Sequence, residues 1–398
     1  MGKKSLMTRV THSGEVEFAK KLAKGVSFPK VLPIYMSSVF SFDDVPSLDA
    51  VYNEEAEGYV YSRMENPSTS AVCEVLASIE ECDGALVFSS GMAAIITSII
   101  GNIKSGDHII ASPVLYGGVY DFLNNEIKKF GVEVTFVDFL NDNIENYIKD
   151  NTKIIYTETI SNPLMEVVDI SVISKIAKKY KCKLIVDNTF ATPVIVQPLK
   201  LGADICVYST TKFLGGHSDI IGGAICSDSK NIKELGKVAT LYGAIMSPFD
   251  AWLLSRSLRT IGIRVKQHSE NALKVAKFFE DNPKVEKVYY PGLKSSNSHE
   301  IANKIFTGSY YGGMLSVDFT GGEEAASKFI KKCNLVKFVP SLAGVTTTIS
   351  YPAKTSHRAY SKEELKKVGI SEGQLRFSIG IEDIDDIINE FSQVLSEI

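Results

Sequence analysis

The chain has little that would suit it to a specialised environment. Its six cysteines (Cys73, Cys82, Cys182, Cys206, Cys226 and Cys333) include no CxxC pair. Together with the scattered His12, His108 and His299 they show no metal-ligand spacing, so neither a disulfide framework nor a metal centre is expected. Charge of one sign is not in excess. With 43 basic and 47 acidic side chains the net charge is −4, which excludes an electrostatic footprint for nucleic acid or an anionic membrane. Apolar segments such as 93–100 fall far short of the roughly 20 residues a bilayer span requires. The basic start, Met1-Gly2-Lys3-Lys4-Ser5, is not followed by an apolar signal core. These absences lead us to expect a cytoplasmic protein with no membrane and no nucleic-acid partner.

What remains is an ordinary globular composition, 44% apolar and 23% charged. At about 150 residues per domain, 398 residues suggest two or three domains. Residues 1–60 lack strong periodicity and are interrupted by Pro29, Pro33 and Pro46, so they are expected to form an extended N-terminal arm. From Asn66 the pattern changes. Val72, Val75, Leu76 and Ile79 follow the spacing of an amphipathic helix with Pro67 in its first turn. Short apolar segments then alternate with helical ones. Strands are expected at 85–88, 108–111, 133–137, 153–157, 183–186 and 205–208, and helices at 92–104, 117–130 and 172–180. This rhythm implies an α/β domain over 61–254 with a mostly parallel central sheet. A long helix is expected from Pro248 to Phe279. Strands near 285–289, 313–319 and 374–379 imply a smaller C-terminal α+β domain over 255–398.

Ligands of parallel sheets lie beyond the carboxyl ends of the strands, so polar residues there are the candidates. The segment 205–223 delivers Ser209, Thr210, Thr211 and Lys212 into a glycine-rich turn. An arbitrary lysine in a loop is a surface lysine. Here the hydroxyls and amides around it suit a phosphate, and its amine suits an imine with an aldehyde cofactor. The Walker order of residues is absent. Asp187 follows the strand Leu184-Ile185-Val186 and is either a turn-forming aspartate or the partner of a pyridinium nitrogen. Phe88-Ser89-Ser90-Gly91-Met92 reads as strand, turn and helix start, an anion site or simply a capped helix. Tyr116 follows another strand and could stack on a planar ring. Tyr61 and Arg63 offer a phenol and a cation. Arg376, inside an alternating strand, needs either an ion-pair partner or a substrate carboxylate.

These residues stand in motifs that together are specific: YSRMENPS (61–68), SSGMAA (89–94), LYGG (115–118), ETISNPL (158–164), VDNTFATP (186–193) and STTKFLGGHSD (209–219). In combination they resemble the Cys/Met-metabolism (γ-family) enzymes dependent on pyridoxal 5′-phosphate. That family has the type I, aspartate aminotransferase-like fold, and the resemblance runs from Tyr35 to Gly380-Ile381-Glu382-Asp383. It implies that Lys212 bonds the cofactor aldehyde, Asp187 pairs with the ring nitrogen and Tyr116 stacks on the ring. Ser90, Gly91, Met92, Ser209 and Thr211 would bind the phosphate, completed by Tyr61 and Arg63 from a neighbouring subunit of a homotetramer built as a dimer of dimers. Lys212, Tyr116 and Tyr61 would be catalytic, and Asn162, Ser341 and Arg376 would hold the substrate carboxylate.

The implied reaction is carbon–sulfur cleavage of a sulfur amino acid, by α,γ-elimination of methionine, homocysteine or cystathionine to 2-oxobutanoate, ammonia and a thiol. Two residues bear on the substrate. Methionine γ-lyases of the family often carry cysteine two residues past the stacking tyrosine, whereas this chain has Gly118, as cystathionine enzymes do. Cystathionine γ-lyases and synthases often place a glutamate where this chain has Thr346, which cannot offer negative charge to a distal ammonium. The second departure favours a substrate with an uncharged tail. A γ-replacement synthase using O-acylhomoserine is the alternative within the family, and a cofactor-free scaffold of the same fold the alternative outside it.

Overall fold

A computed structural model describes residues 4–12, 29–358 and 360–398. Seven strands, β1 (Gly84–Phe88), β2 (His108–Ala111), β3 (Glu133–Phe136), β4 (Thr152–Glu158), β5 (Lys183–Asp187), β6 (Ile205–Ser209) and β7 (Gly223–Ser227), follow the order β1-β7-β6-β5-β4-β2-β3. Five more, β8 (Val285–Tyr289), β9 (Met314–Phe319), β10 (Lys337–Phe338), β11 (Thr348–Ser350) and β12 (Gln374–Ser378), form a second sheet in the order β10-β11-β12-β9-β8. The chain divides into two units. One holds residues 1–101, 207–215 and 219–260, and the other residues 102–206, 216–218 and 261–398.

In the first unit β1 pairs antiparallel with β7, Phe88 opposite Gly223. The helix Pro67–Glu80 starts where the sequence predicts it, with Asn66 Oδ1 accepting from the Ser68 amide at 2.8 Å. Two features of the N-terminal segment differ from an extended arm. Short helices run over Leu6–Thr11 and Val45–Tyr52. In the second of these Asp44 caps the Ser47 amide and Pro46 occupies the first turn. Proline there pre-sets the helical φ and withdraws an amide that has no partner anyway, so it starts a helix rather than breaking one. Residues 1–3 and 13–28 of the expected arm lie outside the described residues. β7 and the following helix Ser229–Tyr242 are additional elements that the sequence analysis does not predict.

In the second unit β3, β2, β4 and β5 are parallel neighbours. His108 spans three of these strands, its two ring nitrogens meeting the hydroxyls of Thr152 and Thr135 at 2.8 Å each. The helix expected over 117–130 is an α-helical turn, a π-helical stretch (Phe122–Glu126) and a 3₁₀ turn (Ile127–Phe130) in succession. The second sheet is backed by Ile261–Glu280, Gly322–Lys332 and Ile384–Ser396. Phe279, Phe319, Phe329, Phe377 and Phe391 fill the space between, with ring centroids 4.8–6.2 Å apart. The single long helix expected over 248–279 is two helices, Pro248–Leu258 and Ile261–Glu280, separated by a turn at Arg259-Thr260.

Candidate active site

In the first unit an anion cradle is built from a strand end and a helix start. β1 ends at Phe88, and Ser90 turns extended (φ −161°, ψ 161°) so that its hydroxyl accepts from the Ala93 amide at 3.1 Å and caps Gly91–Ile100. The amides of Gly91 and Met92 fall in the first turn, where the helix has no carbonyl to offer them. β6 ends against the same turn. A Cβ on Gly91 would lie 2.7 Å from Ser209 Cβ and 2.9 Å from its hydroxyl, and one on Gly223 would lie 2.2 Å from the Ser90 carbonyl oxygen. Glycine at both positions is what lets three backbone segments converge.

Past β6 the Lys212 amide donates to the Ser209 carbonyl at 3.1 Å, which turns the chain and leaves Lys212 partly buried. Thr211 is fixed by Gly222, whose amide donates to the threonine hydroxyl at 3.0 Å. The neighbouring Thr210 hydroxyl is buried without a hydrogen-bond partner. Hydroxyls, first-turn amides and the positive end of a helix dipole form a donor set that fits a phosphate ester.

Tyr61 and Arg63 belong to the same unit and are both exposed. Arg63 Nη1 donates to the Thr240 carbonyl at 2.6 Å, and its guanidinium lies 5.6 Å from the centre of the Tyr61 ring.

In the second unit the candidates gather at the carboxyl ends of β2, β4 and β5. Asp187 closes β5 and accepts from the Thr189 amide at 2.9 Å. Burial pushes its carboxyl up to about 6, and the Thr189 hydrogen bonds pull the other way. Its register partner on β4 is Glu158. Burial first, and Asp187 beside it second, raise Glu158 far above the usual carboxylate range. Glu158 Oε1 accepts the Tyr116 amide at 2.6 Å, so the loop that carries the exposed Tyr116 ring is tied to β4.

Arg376, on β12, is 4% exposed and donates from Nη1 to Asn162 Oδ1 at 2.6 Å, while its Nε has no partner. Burial lowers its guanidinium to about 10. A buried cation with an unmet donor fits an incoming carboxylate. Ser316 on β9 holds the same loop by donating to the Pro163 carbonyl at 2.7 Å. Ser341 lies partly buried between β10 and β11. Two residues on, the Ala343 amide donates to Ser378 Oγ at 2.7 Å and fixes the loop.

The structure thus brings Ser90, Gly91 and Ser209 together in one unit, and Asn162 with Arg376 in the other. Two residues of the second cluster escaped the sequence reading. Glu158 stands at a strand end, the same signal that marked Asp187. His357 carries no such signal. Burial, with Arg376 next in weight, lowers its imidazole to about 4, and Ser356 Oγ meets its Nδ1 at 3.0 Å.

Residues 19–396 match the family described as Cys/Met metabolism PLP-dependent enzyme. The chain belongs to that family. It is 38% identical to an L-methionine gamma-lyase of Fusobacterium nucleatum over the full length of both chains. It is 41% identical to a cystathionine gamma-lyase of Bacillus subtilis, over 86% of this chain and 89% of that one. A solved structure from Campylobacter jejuni that carries N′-pyridoxyl-lysine-5′-monophosphate superposes with a TM-score of 0.91. That match has 30% identity and covers 99% of this chain and 100% of the other. The chain therefore has the pyridoxal-phosphate-dependent type I fold, and pyridoxal 5′-phosphate is its cofactor. Among the described residues no helix is long and apolar enough to cross a membrane.

Proposed function

We propose that this family member is a carbon–sulfur lyase that, with uptake of one water, releases methanethiol from methionine or hydrogen sulfide from homocysteine, together with ammonia, and leaves 2-oxobutanoate. When bound, pyridoxal phosphate supplies an aldehyde for the substrate amine and a ring that withdraws electrons from Cα. The chain's own residues do the rest. Ser90, Gly91, Met92, Ser209 and Thr211 hold the phosphate, and Asp187 holds the ring nitrogen protonated. Arg376 takes the substrate carboxylate with Asn162 and Ser341. Lys212 would bond the cofactor aldehyde in the resting enzyme, and its Nζ as a free amine would move protons at Cα and Cβ of the substrate. Tyr116 stacks on the ring and gives its phenolic proton to the departing sulfur.

One observation carries the choice of substrate. Position 346 is an exposed threonine on the loop that follows Ser341, so no carboxylate is offered there to a distal ammonium. Supplying the purified holoenzyme with methionine, homocysteine and cystathionine in turn, and assaying 2-oxobutanoate against pyruvate, tests it. We expect 2-oxobutanoate from the first two substrates in preference to the third. Pyruvate as the main product indicates β-elimination, and turnover only with O-acylhomoserine plus a thiol indicates a γ-replacement synthase. Either result overturns the reading.

We also propose a cytoplasmic homotetramer in which Tyr61 and Arg63 complete the phosphate site of a neighbouring copy. In support, Tyr61 bridges to Val39, and Arg63 reaches Thr240 beside Leu241 and Tyr242. Val39, Leu241 and Tyr242 are 56%, 83% and 64% exposed. Apolar side chains so placed suit coverage by a second copy. Light scattering that finds an active monomer excludes this arrangement.

A further inference from the structure

Glu158 has no part in the roles proposed above, although it opens the ETISNPL motif. It closes β4 opposite Asp187, so two buried carboxyls sit on neighbouring parallel strands, about 5 Å apart. Like charges so close and so dry do not both ionise. Burial and the neighbouring Asp187 push Glu158 toward its neutral form. Its Oε1 accepts the Tyr116 amide at 2.6 Å, and the Asn162 amide and Arg376 beside it pull the other way. Tyr116 lies on the loop after β2 and Asn162 on the loop after β4. Asn162 in turn orients the Arg376 guanidinium through its side-chain oxygen.

We infer that Glu158 is a positioning residue. From one buried carboxyl between two strand-end loops, it sets both the Tyr116 ring and the Asn162–Arg376 pair that receives the substrate carboxylate. This rests on the roles proposed for Tyr116 and Arg376.

Two conservative variants test it in the purified holoenzyme with methionine. Glu158→Gln keeps the length of the side chain and a carbonyl acceptor for the Tyr116 amide. Glu158→Asp keeps the acid but is one methylene too short to reach both amides. The glutamine variant should hold kcat/KM within about fivefold of the wild type, and the aspartate variant should fall beyond that margin with a raised KM. A role confined to charge or to general folding would rank them the other way, since aspartate is the closer chemical relative. An aspartate variant within the margin, or a glutamine variant outside it, overturns the inference. The visible cofactor band, abolished in Lys212→Ala and kept in both position-158 variants, separates this result from the function reading. Absence of that band from the wild type overturns both.

Discussion

The two clusters of functional residues are built from opposite materials. In the first unit the cradle is made of backbone amides and uncharged hydroxyls: the first-turn amides at Gly91 and Met92, the Ser209 and Thr211 side chains, and glycines at 91 and 223 whose missing Cβ atoms let β6 and β7 approach the helix start. In the second unit the site is made of buried charge. Asp187 and Glu158 close their strands and Arg376 lies in the middle of β12, and burial displaces all three from their ordinary titration ranges. A backbone cradle is sensitive to volume and indifferent to pH. A cluster of buried charges is sensitive to both, because each group depends on its neighbours for solvation.

The largest effect is expected at Lys212, which belongs to the first unit. Lys212→Ala should lose the visible cofactor band and at least about 1000-fold in kcat, because no other amine is assigned the imine or the proton transfers. Absorbance and 2-oxo acid release read this directly.

In the charge cluster, Arg376→Lys keeps the charge but loses the planar fork and the Asn162 contact. It should cost about 100-fold in kcat/KM for methionine, carried mainly by KM, while the cofactor band stays intact. A lysine variant with normal KM would show that Arg376 is a structural cation.

In the cradle, Gly91→Ala drives a methyl into Ser209. It should weaken cofactor binding about tenfold, measured by titrating the cofactor-free protein, and leave the pH dependence unchanged. If the substitution altered the pH profile instead, the contrast between the two regions would fail.

The smallest effect concerns pH and stability in the cofactor-free protein. Asp187 is raised by folding from 3.8 to about 6, so the folded chain holds its proton more firmly. Its stabilising contribution is complete below pH 3.8 and is withdrawn as pH rises through 6. His357 is lowered from 6.5 to about 4, so its contribution is present above pH 6.5 and lost as pH falls through 4. Relative to wild type, Asp187→Asn should therefore gain stability as pH rises from 3.8 to about 6. The gain should be on the order of 1 kcal/mol per pH unit at most, measured by urea unfolding. A flat difference would mean that Asp187 is not the group that burial perturbs.

Much of this was legible in the sequence, for reasons particular to each element. β2, β4, β5 and β6 are short apolar segments followed at once by polar residues, and a parallel sheet puts those residues where ligands bind. Ser90 was legible because a serine before an apolar run is a helix cap. Other elements were hidden by local ambiguity. Pro46 reads as an interruption unless it is known to fall in a first turn. β7 opens on Gly223, whose role is set by the close approach of Ser90, a contact that no local pattern announces. The break between Leu258 and Ile261 carries no proline or glycine to announce it at Arg259 and Thr260.

The sequence by itself determined which chemistry is present and in what order. An amine, a carboxylate, an aromatic ring and hydroxyls suited to a phosphate each sit at or after the end of a strand, since strand and helix periodicity is a local property of the chain. Tertiary structure decided what these groups experience. Only the register of β4 on β5 sets Glu158 beside Asp187, and only the meeting of β12 with the loop after β4 brings Arg376 to Asn162, 214 residues away in the chain. Burial and proximity govern the protonation of such groups, and both arise from contacts between distant segments that no local pattern encodes.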